Sequence, residues 1–189
     1  YTVAQAANQI IRGEPGWSGA LGAPATITYA FRASAPATMP DDTAGFSRFN
    51  AAQIAQAELA LHGWSDVANI HFMRVGVGTG SEAAYSDSAT ILFGNYSSGA
   101  DDAAAFAYYP GSSAAAAQSG DVWLNSTSGS NINPTTGNYG GMVLVHEIGH
   151  AIGLAHPADY DAEGEPSYSA DAIYYEDSRQ FTVMSYFEE

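Results

Sequence analysis

The sequence predicts an α+β fold, a sheet with two long helices packed on it, and three observations predict it. Five short stretches carry strand-like apolar residues between clusters of Gly, Ser and Asn. Two longer stretches carry apolar residues at helical spacing. At 189 residues the chain makes a single domain, 1–189, able to bury most of its unfolded surface around one core. A hydrophobic content of 46% excludes a disordered chain. No apolar run approaches the roughly 18–20 residues needed to cross a bilayer.

The elements follow in order. Thr2 to Arg12 places Val3, Ala6, Ala7, Ile10 and Ile11 at helical spacing, and Gly13, Pro15 and Gly16 end it. Thr26 to Phe31 alternates, with Ile27, Tyr29 and Phe31 on one face of a strand. Ser34 to Asp42, holding Pro36 and Pro40, is a loop. A long helix runs from about Asn50 to His62, where Ile54, Leu59 and Leu61 sit among alanines that favour it. Val67 to Val75 returns to strand until Gly76, Gly78 and Gly80 break it. Thr90 to Phe93, Ala105 to Tyr109 and Asp121 to Leu124 are three further short strands, and the Ala114–Ala117 run is loop. Met142 to Ile152 is the second long helix, followed by a polar, tyrosine-rich segment.

Charge narrows the partners. Twenty acidic residues stand against five basic ones, all arginine, for a formal net charge of −15. Such a surface repels nucleic acid and anionic membranes. The acidic stretch Asp159, Asp161, Glu163, Glu165 lacks the order and the distal Glu of an EF-hand loop, so it is expected to be a solvated loop. Cysteine is absent, so cysteine usage gives no reading of the redox compartment. Tyr1 onward shows neither a basic n-region nor an apolar h-region, and no initiator Met; a processed or trimmed chain is the expectation.

The chemistry concentrates in the run His146-Glu-Ile-Gly-His-Ala-Ile-Gly-Leu-Ala-His156, which holds three of the five histidines. Residues four apart on a helix leave the same face one turn apart. His146 and His150 therefore suit two positions of a tetrahedral zinc site with Zn–N distances of about 2.0–2.1 Å. Glu147 lies one step round, outside the ligand row but within reach of a water on the metal. Gly153 can take positive φ and end the helix, and the following turn can swing His156 back as a third nitrogen ligand. Three protein ligands leave the fourth position open, the mark of a catalytic zinc. HExxH alone also occurs by chance on amphipathic helices. The GxxH extension and the downstream Thr182-Val-Met-Ser-Tyr186 make it the long zinc motif with a Met-turn. His62 and His71 stand outside the motif and are expected to be ordinary histidines, and Asn95-Tyr-Ser and Asn125-Ser-Thr are weak glycosylation patterns.

These residues resemble the serralysin family of metzincin zinc metalloendopeptidases. HEIGHAIGLAHP at His146–Pro157 and VMSYF at Val183–Phe187 carry the resemblance, supported by Trp64–Phe72, Ile91–Tyr96, Ala107–Gly111 and Tyr175–Ser178. It implies a metzincin, zincin-like fold. That fold is a twisted, mostly parallel five-stranded sheet with one antiparallel strand edging a zinc cleft above the Met-turn. By order along the chain, Asp121 to Asn125 is the expected cleft edge, where a substrate peptide could add as an extended strand. The resemblance implies one catalytic Zn2+ held by His146, His150 and His156. Glu147 is implied as general base, and Tyr186 as a movable extra ligand that also bonds the tetrahedral intermediate. Met184 is structural, a thioether beneath the ligands. A secreted, extracellular, monomeric endopeptidase acting on protein and peptide substrates is implied. The family continues past the Met-turn with a helix and then calcium-binding glycine-rich repeats. This sequence ends at Glu189 with no GGxGxD repeat, so Ca2+ is an expectation for the full-length family only. The alternatives are a zinc-stabilised but catalytically impaired fragment acting as a binding domain, and a zinc-dependent exopeptidase or other amide hydrolase.

Overall fold

A computed structural model describes residues 1–13, 16–111, 118–161 and 164–188. Pro15, the Ala114–Ala117 run and Glu163 lie outside the described residues. Five strands, β1 (Ala25–Phe31), β2 (Ile70–Arg74), β3 (Ile91–Tyr96), β4 (Ala105–Ala107) and β5 (Val122–Asn125), form one sheet in the order β2-β1-β3-β5-β4. All neighbours are parallel except β4, which runs antiparallel to β5 with Phe106 opposite Trp123. The helices are α1 (Val3–Ile10), α2 (Ala51–Val67), α3 (Gly129–Ile132), α4 (Tyr139–Ala151) and α5 (Tyr168–Asp171). None is long and apolar enough to cross a membrane.

The alternation in β1 works as the pattern predicts. Ile27, Tyr29 and Phe31 point into the main core, while the outward Thr28 hydroxyl bonds that of Thr90 at 2.9 Å. Phe93, Val122 and Leu124 extend this face, and α2 (Ile54, Ala57, Leu61) and α4 (Val143, Leu144, Ile148, Ala151) cover it. Tyr96 and Trp123 build a second, smaller cluster with Met39, Phe46 and Phe106.

One expectation is overturned. Asp121 to Asn125 is not the cleft edge: Val122–Asn125 is an interior strand, and the antiparallel edge is Ala105–Ala107. The reason is burial on both faces. All four residues of β5 are buried, with Val122 and Leu124 in one cluster and Trp123 in the other. A continuous apolar run of that kind belongs between two neighbours. The β4 residues are only half-buried, as an edge requires. The start of β5 is pinned from inside as well. Buried Asp121 pairs with Arg32, and its other oxygen accepts the Leu92 N–H at 2.9 Å.

Other boundaries move for local reasons. The second helix runs on to Val67, five residues past His62, so β2 begins only at Ile70. The Trp64 indole inside that added stretch donates to the Val145 carbonyl at 3.0 Å, tying α2 to α4. Helix α4 starts at Tyr139 because Asn138 caps it, accepting from the Gly141 N–H at 3.0 Å. A buried amide chain ties the cleft edge to α2 and α3. Gln53 and Asn95 bond each other, Gln53 donates to the Asn131 carbonyl, and Asn131 donates to the Ala104 carbonyl beside β4.

Candidate metal centre

Helix α4 carries His146, Glu147 and His150 on its cleft side, all three buried. Its inner face is fixed by Leu144 and Ile148, which are wholly buried in the main core. The helix ends where expected. Gly153 has φ +105°, a conformation that L side chains rarely adopt, and the Leu154 N–H returns to the Gly149 carbonyl at 2.9 Å. The turn brings His156 back to the other two.

The three imidazoles converge through Nε2. Their Nε2 atoms lie 3.0 Å (His146–His150), 3.1 Å (His150–His156) and 3.3 Å (His146–His156) apart. Each Nδ1 faces a backbone carbonyl: Val183 at 2.7 Å, Leu154 at 2.6 Å and Tyr160 at 2.7 Å respectively. A carbonyl can only accept, so every Nδ1 carries the proton and every neutral ring turns a bare Nε2 lone pair inward. Three lone pairs at this separation repel one another unless a cation stands between them. Tetrahedral coordination at about 2.0–2.1 Å sets neighbouring ligand atoms roughly 3.3–3.4 Å apart, within a few tenths of what is found. The donor set fits a single zinc ion. Among the described residues this is the one group of three or more His, Asp or Glu side chains placed to hold a metal.

The local electrostatics agree. Burial pushes the His146 pKa down to about 4 and that of His150 well below the usual value, with the neighbouring histidines adding to the effect. His156 is lowered by burial too. Neutral imidazoles are the form that binds metal. Glu147 shifts the other way, raised to about 8 by burial. A dication in the tripod would favour its charged form instead.

A cleft of about 410 Å³ opens beside the tripod, lined by Ala103–Ala105 next to β4, by Met142, His146 and Glu147 of α4, and by Tyr186. The Tyr186 ring lies 4.5 Å from His156 and 5.7 Å from His146, centroid to centroid. Burial, then the Glu147 charge, raise its hydroxyl pKa, so it stays protonated near neutral pH. Met184 is 1% exposed beneath α4. A Cβ on Gly149 would stand 2.5 Å from its sulfur, so the helix needs glycine where the Met-turn passes under it.

The structure thus gathers His146, Glu147, His150, His156 and Tyr186 into one place. His62 and His71 are exposed and lie elsewhere. Asn95 and Asn125 are buried, their amides bonded inside the fold, so the two glycosylation patterns are not presented to solvent. Asp159, Asp161 and Glu165 are exposed. Sequence reasoning missed four supports of the centre: Tyr109, edge-on to His150 at 5.4 Å; Arg12, whose guanidinium donates to the His156 carbonyl; Tyr160; and Asp177. No periodic signal marks them. Gly149 did carry one, because a glycine inside a helix costs about 1 kcal/mol unless packing needs it.

Residues 23–181 match the matrixin family of M10 peptidases. Serralysin G of Dickeya chrysanthemi is 45% identical over 198 residues, covering 100% of this chain and 39% of that protein. Serralysin C of the same organism is 48% identical over 192 residues, covering 100% and 38%. The metallopeptidase AprA of Pseudomonas marginalis is 45% identical over 195 residues, covering 100% and 39%. The chain spans about two-fifths of the length of these relatives.

Proposed function

This chain belongs to the serralysin family within the matrixin peptidases, and on that premise we propose that it is the catalytic domain of a secreted zinc endopeptidase. The observation that carries the reading is the convergence of three Nε2 lone pairs, each fixed by a carbonyl behind it, beside a buried glutamate in an open cleft.

His146, His150 and His156 hold the metal. When bound, zinc supplies the Lewis acidity that polarises a scissile carbonyl and makes water acidic near neutral pH. Glu147 accepts the proton of the attacking water on a carboxylate oxygen and delivers it to the departing amine nitrogen. Tyr186 keeps its phenolic proton and donates it as a hydrogen bond to the oxyanion that develops as the carbonyl becomes tetrahedral; with zinc bound and no substrate present, its hydroxyl would be the extra ligand. The end of the sheet at β4 borders the cleft. An extended peptide pairs there through backbone groups, so protein substrates are selected by conformation more than by side chain.

The test is Glu147→Ala. The variant is expected to keep one zinc per chain and to lose about 10²–10⁴-fold in kcat, the usual worth of a general base. Hydrolysis at the parental rate with zinc still bound overturns the assignment.

A further inference from the structure

His156 is the ligand that α4 does not carry, and one residue touches it from two directions, by its backbone carbonyl and by its ring. The Tyr160 carbonyl accepts the His156 Nδ1 proton at 2.7 Å, and the Tyr160 ring stacks on the His156 ring at 5.2 Å with 11° between planes. The same ring lies 5.4 Å from Tyr186 and 5.0 Å from Phe187. Its hydroxyl donates to Asp177 Oδ1 at 2.9 Å. The Tyr186 backbone N–H and the Ser185 hydroxyl face that hydroxyl too. Asp177 is 0% exposed; its Oδ1 accepts the Tyr160 hydroxyl, while its Oδ2 is buried without a hydrogen-bond partner among the described residues. It belongs to the segment between α5 and the Met-turn, and its own N–H bonds the Tyr174 carbonyl at 3.2 Å.

We propose that Asp177 and Tyr160 are a positioning pair: Asp177 anchors the Tyr160 hydroxyl, and Tyr160 sets the orientation of both His156 and Tyr186. The inference rests on the metal-site reading above and adds to it how the loop-borne half of the site is aimed. The geometry requires it of no other described side chain. Tyr160 alone joins the back of His156, the flank of Tyr186 and a buried anchor. Fixing the rotation of the Tyr160 ring fixes the plane on which His156 rests. Partners behind a metal ligand usually change metal affinity or activity by about 10–100-fold when removed.

Tyr160→Phe deletes the anchored hydroxyl while keeping the ring stack and the carbonyl. Asp177→Ala deletes the acceptor, and Asp177→Asn keeps an acceptor oxygen. Zinc release to excess chelator is followed for each, with kcat and KM beside it. Histidine ring NMR signals of the metal-free chain give a reading independent of zinc. Tyr160→Phe and Asp177→Ala are expected each to release zinc ~10–100-fold faster and to lower kcat with KM held. Asp177→Asn is expected to stay near the parent, and the double variant Tyr160→Phe/Asp177→Ala to match a single one, since the two act as a unit. In the metal-free chain, the His156 signals broaden in both damaged variants while those of His146 and His150 keep their widths. Lowered thermal stability with parental zinc release and unchanged His156 signals overturns the proposal, as does multiplication of the two single effects. A parent chain that binds no zinc would sink the metal-site reading, and the metal-free spectra would still decide this one.

Discussion

His146 and His150 stand on α4, while His156 stands on the turn after it, and different parts of the molecule hold the two arrangements. The helical pair needs the 3.6-residue period and a helix locked by core residues such as Leu144 and Ile148, with the Val183 and Leu154 carbonyls setting the rings. The third ligand needs segments far apart in the chain. The Gly153 turn reverses direction, Arg12 donates to the His156 carbonyl, and the Ala155 N–H bonds the Ile10 carbonyl at 2.7 Å. Tyr160 closes the back. The helical half is therefore rigid by packing, and the loop half is rigid by assembly. A helix within the core does not loosen without the fold, whereas a turn held by separate contacts can be loosened one contact at a time.

That difference can be broken from either side. The largest expected effect is on the helical half. Leu144→Ala leaves a cavity under α4 and should cost about 2–5 kcal/mol in urea unfolding, with zinc release from the folded fraction unchanged. Zinc release that quickens in step would show that the helix can loosen locally without the fold unfolding.

Acid should sharpen the contrast next. The ligand imidazoles have folded pKa values below the usual 6.5, His146 near 4. Between those values the unfolded chain binds more protons, so their contribution to metal-free stability is present above pH 6.5 and is lost as pH falls towards 4. Glu147, raised to about 8, runs the opposite way: its contribution is full below its usual value of 4.5 and fades as pH rises through 8. Replacing His146 or His150 with Gln should flatten the acid loss more than replacing His156, which is less deeply buried. Thermal melts of the metal-free variants at pH 4.5 and 6.5 measure this, and equal flattening would erase the distinction.

Smaller effects belong to the turn. Gly153→Ala forces an L side chain to φ +105° and should cost about 1–3 kcal/mol, with faster zinc release because His156 shifts with the turn. Arg12→Ala removes a donor from the His156 carbonyl and should cost about 1 kcal/mol. Its mark is accelerated zinc release with melting lowered by only about 2–4 °C.

The same contrast explains what could be read in the sequence. His146 and His150 were legible because helical spacing is intrinsic to the residues, and Gly153 because its conformational freedom is. Strand β1 was legible by its alternation. The cleft edge was not, since Ala105–Ala107 and Val122–Asn125 are both short apolar runs, and which one lies outermost depends on pairing. The trace of it was in Val122-Trp-Leu, apolar at consecutive positions and so suited to burial on both faces. Tyr160, Asp177 and Arg12 act through distances in space between segments with no common period. One tyrosine among twelve carries no mark of that role.

The central claim is that three histidines drawn from a helix and a turn make one working zinc site. Metal analysis of this chain, paired with cleavage of a long unstructured peptide and mapping of the products, tests it directly. The expected result is one zinc per chain and cuts at internal peptide bonds, abolished by a chelator and restored by zinc. A chain that carries no zinc near neutral pH, or that cuts as well in the chelator as without it, would contradict the account.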